Sequence, residues 1–162
     1  MVRHGINLGN ALDALPSNRR RLPVVVRDLD VIRGAGFDTV RLSVAWSQHA
    51  SVRAPFDISP RFVAAVDAMI LGAVERDLSV VVDIHHYDKL CADPAPHRRR
   101  FLALWTQIAE RYAELPSTVR FELLNEPHRR LTGQRWNDLL AEALAVVRDS
   151  NPTVTSSSVR PR

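Results

Sequence analysis

The sequence is poor in the residues that mark several common classes of protein, since its 162 residues include one cysteine, one lysine and six glycines. Cys91 alone can form neither an intrachain disulfide nor a metal cluster of cysteines. Charged residues interrupt every apolar run before it reaches the roughly 18 residues of a membrane-spanning helix, so we expect no membrane partner. No Gly-x-Gly-x-x-Gly or phosphate-loop pattern is present, and we expect no cofactor. The first residues lack the apolar stretch of a secretory signal, and the compartment stays open.

The excess of basic residues is a second feature that could indicate a partner. The formal net charge is +4 and the isoelectric point is about 10.2, values compatible with nucleic-acid binding. However, Lys89 is the only lysine, and the arginines are scattered along the chain without aromatic residues interleaved on one face. We therefore interpret the basic residues as solvated surface and expect no nucleic-acid partner.

Apolar periodicity predicts one α/β domain built from four successive βα units. Hydrophobic residues make up 46% of the chain, which is enough for a self-sufficient core. Apolar runs predict strands at residues 5–8, 39–44, 79–84 and 119–124. Apolar residues at helical spacing follow each strand, over 22–32, 63–74, 101–112 and, from a start near Thr132 or Gln134, up to 147.

Four βα units with short connections imply parallel strands, which leaves doubly wound sheets and (β/α)8 barrels as candidates. The polar residues favour the barrel, because they follow the carboxyl ends of the predicted strands, where barrel enzymes carry their catalytic groups. They are Asn10 and Asp13 after the first strand, Trp46 and His49 after the second, His85 and His86 after the third, and Asn125 and Glu126 after the fourth. We therefore predict a half-barrel, with a candidate site at this rim.

Glu126 is the candidate general acid of the rim. It follows a buried strand and the apolar pair Leu123 and Leu124, an environment that disfavours the charged form of a carboxyl. Pro127 should bias Glu126 toward extended backbone and so fix the direction of its side chain. Asn125, next to it, offers an amide that can hold a substrate hydroxyl.

Arg41 and Trp46 belong to the second predicted strand and its end. An arginine in the middle of an apolar strand requires a partner, so we predict a carboxylate beside Arg41 near the centre of the site. For Trp46 two alternatives stay open, stacking on a flat ligand such as a sugar ring or packing in the core.

The pair His85 and His86 follows the third strand. If strand geometry persists, adjacent side chains point to opposite faces and at most one of the two reaches the rim. A metal site there would need carboxylate ligands, for which Asp83, Asp88 and Asp93 are the candidates in the sequence, and we expect no metal.

Four of these segments together resemble a known family. GINLGNAL at 5–12, VRL at 40–42, DIHHYD at 83–88 and FELLNEPH at 121–128, in unbroken order, are similar to glycoside hydrolase family 5, in its bacterial endoglucanase and mannanase branch. The resemblance implies a (β/α)8 barrel and retaining hydrolysis of β-1,4-linked glucan or mannan, with a β-linked polysaccharide or oligosaccharide as the partner.

The resemblance also implies a role for each matching residue. Glu126 matches the acid/base, Asn125 matches its neighbour that contacts the sugar 2-hydroxyl, and Arg41 matches the arginine that orients the nucleophile. The matching substrate-binding positions are His85, His86, Asn10 and Asp13, to which our interpretation of the residues adds Trp46.

The length of the chain is the main departure from this family. A (β/α)8 barrel takes roughly 250 residues, and the resemblance places the nucleophile on the seventh strand. We therefore expect residues 1–152 to be the first half of a barrel in a truncated chain that is inactive alone, and the polar segment 153–162 not to be ordered. Open edges on the first and fourth strands, with an uncovered apolar inner surface, would favour self-association. The alternative is a non-catalytic half-barrel that binds sugar or assembles with itself.

Overall fold

A single parallel sheet, with helices packed against one of its faces, organises the molecule. The computed structural model describes residues 4–14, 25–152 and 156–157. The strands are β1 (Gly5–Leu8), β2 (Thr39–Leu42), β3 (Ser79–Asp83), β4 (Val119–Glu122) and β5 (Ser156–Ser157). The helices are α1 (Asp28–Gly34), α2 (Pro60–Val74), α3 (Asp88–Ala92), α4 (Pro94–Arg111) and α5 (Gln134–Ser150), and a short 3-10 helix covers Trp46–Gln48.

The strand order distinguishes the two predicted architectures. All neighbouring strands are parallel, and their order in the sheet, β1-β2-β3-β4-β5, is the order in the sequence. A doubly wound sheet would instead reverse direction at a switch point beside its first strand. Consecutive neighbours separated by helices are the arrangement of a (β/α)8 barrel, so the predicted half-barrel topology is present.

Alternation along the strands separates an apolar face from a polar one. One set of side chains is at most 1% exposed and faces the helices, and its members are Val40, Leu42, Val80, Val82 and Phe121. At the alternate positions, Asn7, Asp83 and Glu122 each contact Arg41 on the opposite side of the sheet, which we call the open face. The expectation of an uncovered apolar inner surface is therefore wrong at this part of the sheet, because the apolar positions are used against the helices.

The long helices bury the faces that their periodicity predicts. In α4 the residues Phe101, Trp105 and Ile108 are at most 1% exposed, and the Trp105 ring lies 5.6 Å from that of Phe121 on β4. Trp136 begins the buried stripe of α5. Pro60 opens α2 in the same way as Pro94 opens α4, at a first-turn position where proline costs no helical hydrogen bond.

The boundaries of several elements differ from the predicted ones. Strands β2, β3 and β4 end one or two residues earlier than predicted, because the chain bends at the rim. Main-chain hydrogen bonds still join neighbouring segments there, from His85 N–H to Val44 O and from Asn125 N–H to Ile84 O. Helix α1 starts at Asp28 rather than at residue 22, and residues 22–24 lie outside the described part of the chain. None of the helices in that part is both long enough and apolar enough to cross a membrane.

Of the polar segment 153–162, the structure describes Ser156–Ser157, which pair in parallel with Phe121 and Glu122 as strand β5. The expectation that the segment is not ordered stays a prediction. Strand pairing uses main-chain groups, so a polar sequence does not prevent it. The other residues of the segment lie outside the described residues. The edges of the described sheet are therefore β1 and β5, not β1 and β4.

Candidate functional site

Arg41 lies at the centre of the open face, where it connects four strands or strand ends. It donates from Nε to Glu122 Oε2 at 2.7 Å and from Nη2 to Glu122 Oε1 at 2.8 Å. Nη2 also lies 2.6 Å from Asp83 Oδ2 and donates to Asn125 Oδ1 at 3.1 Å, while Nη1 donates to Asn7 Oδ1 at 2.9 Å. The predicted carboxylate beside Arg41 is confirmed, and there are two of them.

The register of the strands explains this convergence. Asn7 is the direct partner of Arg41 on β1, and Asp83 is the direct partner of Glu122 on β4. Hydrogen bonding to Glu122 raises the pKa of the Arg41 guanidinium above its usual value. The negative charges of Asp83 and Glu122 add to this rise in the pKa, while burial of the guanidinium opposes it. Arg41 is therefore a permanent cation held between two carboxylates.

Asp83 organises the neighbouring part of the rim. Its side chain is fully buried, and Oδ1 accepts a hydrogen bond from the main-chain N–H of Val44 at 2.9 Å. Oδ2 lies 2.7 Å from His85 Nδ1 as well as beside Arg41. Because the carboxylate can only accept, His85 donates from Nδ1 and presents Nε2 away from Asp83.

Both histidines of the pair turn toward Asp13, in contrast to the prediction that at most one could reach the rim. The Nε2 atoms of His85 and His86 lie 3.7 and 4.0 Å from Asp13 Oδ2, and the two rings meet edge to face at 4.7 Å. Strand β3 ends at Asp83, so strict strand alternation no longer applies two residues later. Asp13 is 7% exposed, and its Oδ1 accepts from the N–H of Ala11 at 3.1 Å.

Asn125 and Glu126 follow β4 on the same rim. Asn125 is half-buried, and the Arg41 guanidinium holds its Oδ1. Glu126 is exposed rather than enclosed by Leu123 and Leu124, and its backbone has φ 44° instead of the extended conformation expected before Pro127. The apolar pair turns into the core, so it does not surround the carboxyl. A left-handed conformation costs a non-glycine residue about 1–2 kcal/mol, and such strain is typical of functional sites.

Asn10 and Trp46 are the predicted site residues that lie outside this cluster. Asn10 is exposed and left-handed, with φ 59°, in the loop that also carries Asp13. Trp46 is 1% exposed, and its ring meets Phe62 edge to face at 5.7 Å. Of the two alternatives for Trp46, the structure therefore shows packing in the core. The indole ring is not presented to a ligand at the open face. His49 stacks on Phe62 at 3.7 Å.

Sequence reasoning missed four residues that hold Arg41, namely Glu122, Asp83, Asn7 and Ser43. Glu122 interrupts an apolar strand as Arg41 does, so the argument that identified Arg41 applied equally to Glu122. Asp83 ends an apolar run, and its position in the sequence alone does not show that it faces Arg41. Asn7 could be found only from the register of β1 on β2.

Consecutive parallel strands that carry polar groups at their carboxyl rim are the arrangement of a (β/α)8 barrel. Residues 27–157 match the family described as Cellulase (glycosyl hydrolase family 5). The chain belongs to this family, and the resemblance found in the sequence is confirmed.

Two relatives illustrate the similarity, one of them through two solved complexes. Endoglucanase H of Acetivibrio thermocellus is 30% identical over 149 residues, which cover 92% of this chain and 17% of that protein. Thermotoga maritima Cel5A in complex with cellobiose is 45% identical with a TM-score of 0.95, and its complex with mannotriose is 44% identical with a TM-score of 0.95. Each alignment covers 99% of this chain and 52% of the Cel5A chain, so the present chain spans about half the length of that solved relative.

Proposed function

We propose that this chain supplies the acid/base half of a retaining endo-β-1,4-glucanase site that acts on β-1,4-glucan or mannan. The observation that carries the proposal is the connection from Arg41 through Asn125 to Glu126. Arg41 Nη2 fixes Asn125 Oδ1 at 3.1 Å, and the next residue presents an exposed carboxyl at the same rim. The complexes of T. maritima Cel5A with cellobiose and with mannotriose support this substrate class.

The chemistry assigns a different task to each of the two rim residues. In a retaining glycosidase one carboxylic acid protonates the leaving glycosidic oxygen, and the same group later removes a proton from the attacking water. Glu126 is accessible from solvent and can reach such an oxygen. The amide nitrogen of Asn125 has no hydrogen-bond partner among residues 4–14 and 25–152, so it can donate to a sugar hydroxyl.

Three further side chains would bind substrate. His85, His86 and Asp13 present ring nitrogens and a carboxylate oxygen at the rim, and such groups hydrogen-bond hydroxyls of a sugar. Asn10 lies in the same loop as Asp13 and is exposed, so it can add a further amide contact. Trp46 is not included, because its ring is in the core.

Arg41 acts as a positioning residue in this proposal. Its Nη1 donates to Ser43 Oγ at 3.3 Å in addition to Asn7, and Nη2 and Nε are engaged by Glu122, Asp83 and Asn125. A guanidinium whose donors are all engaged holds its neighbours in place rather than contacting the sugar. To orient a nucleophilic carboxylate, Arg41 would have to release one of these partners and donate to that carboxylate instead.

We further propose that the chain does not complete the reaction alone. Retaining hydrolysis needs a second carboxyl about 5–5.5 Å from the first. Asp83 and Glu122 are tied to Arg41, and Asp83 is also bound by His85 and Val44, so neither is available as a nucleophile. The second carboxyl would come from the half of the barrel that the solved relatives have beyond this alignment.

Hydrolysis assays test this proposal. We expect purified chain to release no reducing sugar above the blank from carboxymethylcellulose or galactomannan, and Glu126→Gln to behave identically. Glu75→Gln is the control, because Glu75 is exposed at the end of α2. If the wild-type chain and Glu75→Gln hydrolyse the substrate and Glu126→Gln does not, this chain contains a complete site. Turnover that survives Glu126→Gln would contradict the acid/base assignment.

A non-catalytic sugar-binding module is the second candidate, and the polar open face favours it. A self-assembling half-barrel has less support, because the exposed large apolar residues are spread over α1, α2 and two loops. They are Val25, Val31, Val52 and Leu71. Within the described part of the chain, β1 and β5 are the edge strands, and these edges could pair between copies. Light scattering during size-exclusion chromatography separates the two, since edge pairing predicts a mass at least twice that of the chain.

A further inference from the structure

We propose that Asp13, His85 and His86 form a binding site for a divalent transition metal of the zinc type. Each of the three residues offers one ligand atom, and these atoms lie within 4.8 Å of one another. The Nε2 atoms of both histidines lie nearest to Asp13 Oδ2. This site does not involve Glu126 and does not depend on hydrolysis. The sequence suggested Asp83, Asp88 or Asp93 as the carboxylate, whereas the structure brings Asp13 from a different strand end.

The distances between these atoms match ligands that share one ion. Asp13 Oδ2 lies 3.7 Å from one Nε2 and 4.0 Å from the other, which is too long for a direct hydrogen bond. Metal–ligand bonds of about 2.0–2.2 Å in tetrahedral geometry place neighbouring ligand atoms about 3.4 Å apart. Side-chain rotations that shorten these separations by up to about 1.4 Å would therefore bring all three atoms to bonding distance.

The groups behind the ligands already hold them in the required orientation. His85 Nδ1 donates to Asp83 at 2.7 Å, which leaves the lone pair on Nε2 facing Asp13. A carboxylate behind a histidine in this way is the usual support of a metal-binding imidazole. Asp13 is oriented in turn by the N–H of Ala11 on its other oxygen.

Charge and access favour a cation at this position. The single guanidinium of Arg41 is surrounded by the carboxylates of Asp13, Asp83 and Glu122, which leaves two negative charges in the group. The His86 side chain is 42% exposed, whereas those of His85 and Asp13 are 16% and 9% exposed, so an ion can enter from the side of His86. Two imidazoles and one carboxylate suit Zn²⁺, Ni²⁺ or Co²⁺ rather than Mg²⁺ or Ca²⁺.

Calorimetric titration of the full chain with ZnCl₂ at neutral pH tests the site directly. We expect one equivalent to bind, and we expect Asp13→Asn and His86→Gln each to weaken binding at least tenfold. Asp83→Asn keeps an acceptor for His85 but removes the supporting charge, so it should weaken binding by about tenfold or more. His4→Gln is the matched control, because His4 precedes β1 at the opposite end of the sheet, and it should leave binding unchanged.

Absence of saturable Zn²⁺ binding, or a loss of less than tenfold in Asp13→Asn or in His86→Gln, overturns the proposal. Circular dichroism establishes that each variant is folded before its titration is interpreted. A second measurement needs no variant: nitrogen NMR of the wild-type imidazoles should show Zn²⁺ shifting Nε2 of His85 and His86 and leaving His4 unchanged. Shifts spread over the other histidines, or none at His85 and His86, would also overturn the proposal.

Discussion

Arg41 and Glu122 form a two-point ion pair that joins β2 to β4 across the intervening strand β3, with N–O distances of 2.7 and 2.8 Å. A bidentate arginine–carboxylate pair fixes direction as well as distance. The same guanidinium holds Asn125 on the rim. The geometry of the candidate site therefore depends on an ion pair within the sheet and not only on the rim loops.

Arg41→Met should strongly destabilise the fold. The change leaves Asp83 and Glu122, whose side chains are 0% and 7% exposed, as buried carboxylates without their counter-charge. Losing one partner of a buried ion pair costs about 3–5 kcal/mol. Urea unfolding followed by far-ultraviolet circular dichroism measures this fall in the free energy of unfolding.

Arg76→Met is the control for that experiment. Arg76 also makes a two-point contact with a carboxylate, Asp30, but the Asp30 side chain is 62% exposed. Solvent screens such a pair, so the variant should unfold at nearly the wild-type urea concentration. Equal losses in the Arg41 and Arg76 variants would show that the buried network does not carry the stability assigned to it.

Two buried tryptophans provide a matched test of one hydrogen bond. Trp105 Nε1–H donates to the Leu123 carbonyl at 3.1 Å, whereas the indole N–H of Trp136 is buried without a partner among the described residues. Trp105→Phe strands a buried carbonyl, at a cost of about 1–3 kcal/mol, and Trp136→Phe removes only packing atoms. Urea unfolding should therefore show the larger loss for Trp105→Phe, and a larger loss for Trp136→Phe would contradict the assignment.

The two tyrosines of the chain predict its behaviour at alkaline pH. Burial raises the pKa of Tyr87 and, more strongly, the pKa of Tyr112 above the usual value of 10.0. The folded state thus keeps both phenols protonated where the unfolded chain would ionise. This contribution to stability is complete below about pH 10 and is lost as the pH rises further.

Parallel ultraviolet absorbance and circular dichroism measurements check this behaviour. We expect tyrosinate absorbance to appear only together with loss of the native circular dichroism signal. Ionisation of either tyrosine near pH 10 in a chain that is still folded would contradict the burial of both rings.

The sequence was most informative where a residue violated its local pattern. Arg41 in an apolar strand predicted a buried carboxylate partner, and two such partners are present. Polar residues at four strand ends predicted the rim, because the carboxyl ends of parallel strands meet at one edge. Both inferences follow from burial and alternation, which are local properties of the chain.

Features that depend on how separate segments meet could not be predicted. The convergence of His85 and His86 on Asp13 requires the exact bend after β3 and the path of the loop after β1. Trp46 occupies a rim position in the sequence, but Phe62 of α2 provides a core contact that no local pattern reveals. Strand β5 consists of serines, whose low apolar content conceals main-chain pairing.

Binding of a β-1,4-linked trisaccharide to the open face tests the central claim most directly. Calorimetric titration with cellotriose and mannotriose should show saturable binding to the wild-type chain, with Asn125→Ala and His86→Ala each weakening it at least tenfold. His4→Ala, at the far end of the sheet, should bind as wild type does. No binding of either sugar, or binding that both rim variants retain, would contradict the account.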